Sequence, residues 1–106
     1  SLNAFSLEAV IARDYILKEK PDVVIDVLDA TNIERNLYLA VQLLELGARV
    51  VIALNMSDVA EAGGLRIDTT KLSAGLHGIP IVRTVASKGE GIKDLVLAAI
   101  SVGSPA

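Results

Sequence analysis

Cysteine and tryptophan are absent from this 106-residue sequence, and aromatic residues make up only 3% of it. Without cysteine there are no disulfides and no thiolate metal sites, a composition compatible with a reducing compartment. The single histidine, His77, has no carboxylate or cysteine spaced as a second metal ligand and reads as a structural or exposed residue. No apolar run approaches the roughly 18 residues needed to span a bilayer, and signal-peptide architecture is missing. The formal net charge is −3, and no Lys/Arg cluster offers a phosphate footprint, so nucleic acid is not an expected partner. No internal repeat or linker marks a domain boundary. The sequence begins at Ser1 rather than Met, which points to a piece of a longer protein.

What the sequence does contain is aliphatic. Hydrophobic residues make up 52% of it, nearly all Val, Ile, Leu and Ala, a bias that suits strands buried on both faces under packed helices. Ser6 can cap a first helix with apolar positions Leu7, Val10, Ile11 and Tyr15, complemented by Lys18 and Lys20 and stopped by Pro21. The run Val23–Leu28 reads as a central parallel strand, with Asp26 as its odd member, in need of a donor if its face is covered. Thr31 or Asn32 then caps a helix over Ile33–Leu46, with Leu37, Ala40, Val41 and Leu44 as its stripe and Gly47 as its stop. A strand Val50–Leu54 follows. Val59–Arg66 reads as a short helical turn and loop broken by Gly63 and Gly64, and Asp68 or Thr69 opens a short helix. Ile79–Thr84 is a third strand. Ile92, Leu95, Val96, Ala99 and Ile100 repeat at helical spacing in a closing helix. Glu34-Arg35, Lys18-Glu19-Lys20 and Arg13-Asp14 read as solvated surface.

This alternation predicts an α/β fold: a three-layer arrangement of parallel strands with flanking helices and right-handed crossovers. The expected organisation is a single domain over 1–106, with the first helix in 1–21, strand-helix-strand-helix-strand-helix in 22–100, and a loose tail in 101–106. Ligands in such sheets bind outside the carboxyl ends of the strands. Asp29–Asn32, Asn55–Asp58 and Val85–Gly91 occupy that rim.

The most informative of these is Asn55-Met56-Ser57-Asp58, an Asn-x-x-Asp straight after an apolar strand. Guanine offers two adjacent donors, its N1–H and its exocyclic amino group, and one carboxylate accepts both. Adenine has an acceptor at N1, and the mismatch costs roughly 1–3 kcal/mol. Asn and Asp also recur as turn and cap residues at strand ends. About thirty residues later, Thr84-Val85-Ala86-Ser87-Lys88-Gly89-Glu90-Gly91 resembles the second guanine loop of small GTPases. The order and the position at the next strand end agree with that family. Gly89 and Gly91 shape the turn before the last helix.

Three further stretches, Ser6–Ile16, Asp29–Leu39 and Ala53–Met56, are similar to ferrous iron transport protein B, with Met56 standing where other GTPases carry lysine. The resemblance runs from Ser1 to about Ile100. It implies the C-terminal portion of a cytosolic GTP-binding (G) domain, of the phosphate-loop GTPase fold, that precedes a membrane iron permease. It implies a guanine nucleotide, GTP or GDP, as ligand. Asp58 would hold the guanine donors and Asn55 would reach the N7 side, tying the base loop to its neighbours. Met56 would lie along the purine face and Ser57 completes that motif. Ala86 would donate its N–H to O6, flanked by Val85 and Ser87. Val85 departs from the small hydroxyl residue usual there, a loss on the order of 1 kcal/mol. The implied location is cytoplasmic, with the parent at the cytoplasmic face of the cell membrane.

None of the eight glycines belongs to a Gly-x-x-x-x-Gly-Lys-Ser/Thr phosphate cradle, and no Asp-x-x-Gly follows the pattern of the γ-phosphate sensor. In the family both lie upstream. No catalytic residue and no Mg²⁺ ligand is therefore assigned, and Val23–Leu28 is expected to have an open edge prone to self-association. Two alternatives remain. Asp29 and Lys88 could be the phosphoacceptor and lysine of a receiver-like signalling module, although the acidic pair such modules need is not visible. The other is a structural α/β fragment without activity.

Overall fold

The computed structural model describes residues 6–105. Residues 1–5 of the expected first segment and Ala106 of the expected tail lie outside the described residues. The elements are α1 (Leu7–Glu19), β1 (Val24–Asp29), α2 (Ile33–Glu45), β2 (Val50–Asn55), α3 (Ser57–Ala62), α4 (Thr69–Gly75), β3 (Ile81–Arg83) and α5 (Ile92–Gly103). The strands form one parallel sheet in the order β1-β2-β3. This is the α/β arrangement expected, with helices on both faces.

β2 is central and buried along its length, because both faces are covered. One face carries Leu28, Ile52 and Leu54, packed on Ala40 and Leu43 of α2 and on Leu76. The other carries Val51 and Ala53, packed on Leu95 of α5 with Val102 beside them. The register pairs Asp29 with Asn55, so β1 and β2 end together at the same rim.

Local caps agree with the sequence at two helices: Ala9 N–H donates to Ser6 Oγ (3.1 Å), and Lys71 N–H donates to Asp68 Oδ1 (3.1 Å). α2 differs. Neither Thr31 nor Asn32 caps it through a side chain; Asp29 instead caps a short 3-10 turn, Ala30–Asn32, that leads into it.

The buried faces differ more. In α1 the inward positions are Ala9, Ala12 and Ile16, while Leu7, Ile11 and Tyr15 are 72%, 59% and 61% exposed. Small residues let α1 lie close over α2 and the sheet, and that brings the alanine face inward. In α5, Leu95 and Ala99 are buried but Val96 and Ile100 are exposed, bordering a shallow cavity with the exposed Ile25 of β1. In α2, Val41 is exposed. Among the described residues β1 pairs only with β2, so it is an edge rather than a central strand, and its outer side is open. The tail is not loose at its start: α5 continues through Gly103, where an added Cβ would touch Val23 Cγ1 at 3.1 Å.

Asp26 shares the Leu28 face and is 8% exposed, yet its Oδ2 has no hydrogen-bond partner among the described residues. The expected donor is missing. Burial alone pushes its carboxyl up to about 6.

Candidate functional site at the strand ends

β2 delivers Asn55 at the rim, and Met56 then adopts a left-handed conformation (φ 59°) that turns the chain into α3. A non-glycine residue there costs about 1–2 kcal/mol, a strain of the kind that clusters at binding sites. The reversal sets Asp58 in the first turn of α3 and leaves Met56 exposed.

Asn55 ties the two loops together. Its Oδ1 accepts from Thr84 Oγ1 (3.1 Å) and from Ala86 N–H (3.0 Å). Because the Ala86 amide can only donate, the side-chain oxygen must face it, and Nδ2 is turned the other way. Ser57 adds a second tie: its buried hydroxyl donates to Leu54 O (2.6 Å), and its N–H donates to Thr84 O (3.3 Å). Thr84 in turn donates its N–H to Leu54 O (2.9 Å).

The second loop is closed by Val85 and Glu90, each donating its N–H to the other's carbonyl (3.0 and 3.2 Å). Between them, Ala86–Lys88 forms a 3-10 turn that ends at Gly89 (φ 70°). Val85 is buried, whereas Ala86 and Ser87 are exposed at the rim. None of this loop's backbone bonds uses the Ser87 N–H.

The Asp58 carboxylate is held at two points. Oδ1 accepts from Val59 N–H (2.8 Å), and Oδ2 lies 3.5 Å from Lys88 Nζ. A small cavity of about 190 Å³ adjoins it, lined by Ser57, Asp58, Glu61, Thr84, Val85 and Glu90 together with Arg83. A larger one of about 480 Å³ lies at the opposite end of the sheet, near Lys20, Leu46, Arg49 and Gly103.

The structure thus brings Asn55, Met56, Ser57 and Asp58 together with Val85, Ala86 and Ser87. The Ala86 N–H, expected to meet guanine O6, is engaged by Asn55 Oδ1, and the Ser57 hydroxyl points into the fold. Two residues were missed: Thr84, whose hydroxyl positions Asn55, and Lys88, whose ammonium meets Asp58. Thr84's place directly before the loop was the available signal; nothing in the sequence pairs Lys88 with Asp58.

The receiver-like pairing does not form. Asp29 Oδ1 accepts from Thr31 N–H (2.8 Å) and Thr31 Oγ1 (2.5 Å), which holds its carboxyl below the usual range, while Lys88 is on Asp58. Among the described residues no group of three or more His, Cys, Asp or Glu could hold a metal ion. No described helix is long and apolar enough to cross a membrane.

Residues 1–99 match the family model described as ferrous iron transport protein B. The Fe(2+) transporter FeoB of Escherichia coli (strain K12) is 50% identical over 93 residues, which are 88% of this chain and 12% of that protein. The FeoB G-domain of Methanococcus jannaschii superposes with a TM-score of 0.83 at 48% identity, covering 97% of this chain and 65% of that one. The mGMPPNP-bound NFeoB of S. thermophilus superposes with a TM-score of 0.83 at 46% identity, covering 96% and 39%. The present chain therefore spans about one eighth of the curated relative.

Proposed function

From the premise that this chain belongs to the ferrous iron transport protein B family, we propose that it is the guanine-recognition part of a GTP-binding domain that serves ferrous iron transport. The observation that carries this reading is the double acceptance by Asn55 Oδ1. It locks the Asn55–Asp58 and Val85–Ser87 loops into one rim surface, with Nδ2 directed away from the loop it anchors. On that surface the Asp58 carboxylate accepts the guanine N1–H and amino group, and Asn55 Nδ2 donates to N7. Met56, exposed on its left-handed turn, covers one purine face. Guanine O6 meets the Ala86–Ser87 backbone, where the Ser87 N–H is the donor not already engaged. Ser57 and Val85 shape the pocket from within.

Phosphate binding, GTP hydrolysis and Mg²⁺ belong, in this proposal, to the whole protein; no residue of this chain is given a part in them. The same holds for the membrane permease partner and for the cytoplasmic membrane face as location.

The test is an amide-resolved NMR titration of the 106-residue chain with millimolar GDP, ADP and acetyl phosphate. GDP should shift Asn55, Asp58, Ala86 and Ser87 in saturable fashion, with ADP at least tenfold weaker. Equal responses to GDP and ADP, or labelling of Asp29 by acetyl phosphate, would overturn the reading.

A further inference from the structure

Lys88 lies in the second loop without an expected part in holding guanine, yet it is the one side chain bonded to Asp58 among the described residues. A carboxylate has about four lone-pair directions. On Asp58 one is taken at Oδ1 by Val59 N–H and one at Oδ2 by Lys88 Nζ. Two remain, one on each oxygen, and a guanine edge has two donors to fill them. Val85, the loop residue beside this site, is buried and apolar and offers no side-chain donor to Asp58. The Val59 amide is fixed by α3, but it grips only one oxygen and leaves the carboxylate free to pivot about that bond. A donor on the second oxygen stops the pivot.

We infer that Lys88 is the positioning residue of the base-reading carboxylate. Its ammonium, 3.5 Å from Oδ2, sets the carboxylate plane so that both remaining lone pairs face the purine edge. Lys88 does not touch the base itself. It arrives from the loop that also borders O6, so closure of that loop and orientation of Asp58 are one event. This inference rests on the guanine reading above and adds to it a residue whose removal weakens selectivity while the two loops stay tied through Asn55.

The pair is partly solvated, Lys88 being 62% and Asp58 37% exposed, so the effect is the modest one of a half-exposed ion pair: about three- to fivefold in affinity. The experiment measures dissociation constants by NMR titration for wild type, K88M and K88R with GDP and ADP, and for D58N and D58N/K88M with xanthosine diphosphate. Xanthine keeps N1–H but has a carbonyl at C2, so an asparagine carboxamide matches it as a carboxylate matches guanine. The expected result is GDP binding three- to fivefold weaker in K88M and within twofold of wild type in K88R. In the D58N background, K88M should leave xanthosine diphosphate binding unchanged, because the carboxylate it orients is gone. If K88M binds GDP as well as or better than a guanine-selective wild type, the inference fails and the guanine reading stands. A K88M loss that persists undiminished in D58N would show a merely structural loop role and also overturn it. A wild type that does not prefer GDP to ADP sinks the guanine reading, and this inference with it.

Discussion

Substituting Gly91 by alanine should damage this fold more than any other glycine change, and its size can be worked from the geometry. Gly91 has φ 78°, and a Cβ there would sit 2.2 Å from Arg83 O and 3.2 Å from Thr84 Cα. The left-handed conformation alone costs alanine about 1–2 kcal/mol. The overlap is with backbone rather than with a flexible side-chain end, so relief requires moving β3 or the start of α5. An overpacked site of this kind costs a further ~1–3 kcal/mol, for a total of about 2–5 kcal/mol. That is a large part of the roughly 5–15 kcal/mol that stabilises a typical domain. Gly89 supplies the control. Its φ is 70°, but a Cβ would meet nothing within 4 Å, so Gly89→Ala should cost only the conformational part, about 1–2 kcal/mol. The assay is urea unfolding of the three proteins followed by circular dichroism. The displaced segment also carries Thr84, the hydroxyl partner of Asn55, so the folded fraction of Gly91→Ala should show altered amide shifts at Asn55 and Ala86. If the two variants lost equal stability, the close approach to Arg83 would not be what requires glycine at 91.

Asp26 predicts a pH dependence of unusual sign. Its folded-state carboxyl titrates at about 6, above the usual value near 4 for an unfolded aspartate, so the folded chain holds the extra proton between those values. Its contribution is therefore fully present below about pH 4 and lost as pH rises through about 6. Asp26→Asn should flatten that slope and stabilise the chain at pH 8 by about 2 kcal/mol in urea unfolding; an unchanged slope would refute the burial argument. Asn55→Ala leaves the buried Thr84 hydroxyl and the Ala86 N–H without their acceptor, which should cost about 1–3 kcal/mol and abolish GDP-induced amide shifts. Retained GDP binding in a folded Asn55→Ala protein would contradict its role as the tie. The open outer side of β1, with Val27 61% exposed, should give concentration-dependent association in light scattering that Val27→Lys suppresses. A wild type that stays monomeric at millimolar concentration would count against it.

Much of this molecule could be read without coordinates because the relevant physics is local. Helix caps at Ser6 and Asp68 are decided within three residues. Aliphatic runs broken by turns require strands and helices in alternation, and parallel strands place Asn55–Asp58 and Val85–Gly91 at one rim. The chemistry of Asn-x-x-Asp is legible in the same way, since a strand end followed by a carboxylate is a short-range pattern.

Tertiary structure alone decided the rest, wherever the deciding partner is far away in sequence. The inward face of α1 turned out to be Ala9, Ala12 and Ile16 because close approach to α2 favours small residues, which periodicity cannot weigh against the larger Leu7, Ile11 and Tyr15. Asp26 is buried beside Leu28 with no donor in reach of Oδ2 among the described residues, a fact about the neighbouring layer and not about β1. Asn55 finds Ala86, 31 residues on, and Asp58 finds Lys88 through the same closure of two loops. The strand-end motif could be read from sequence; which groups hold its carboxylate and amide in place depends on hydrogen bonds that exist only once the sheet has assembled.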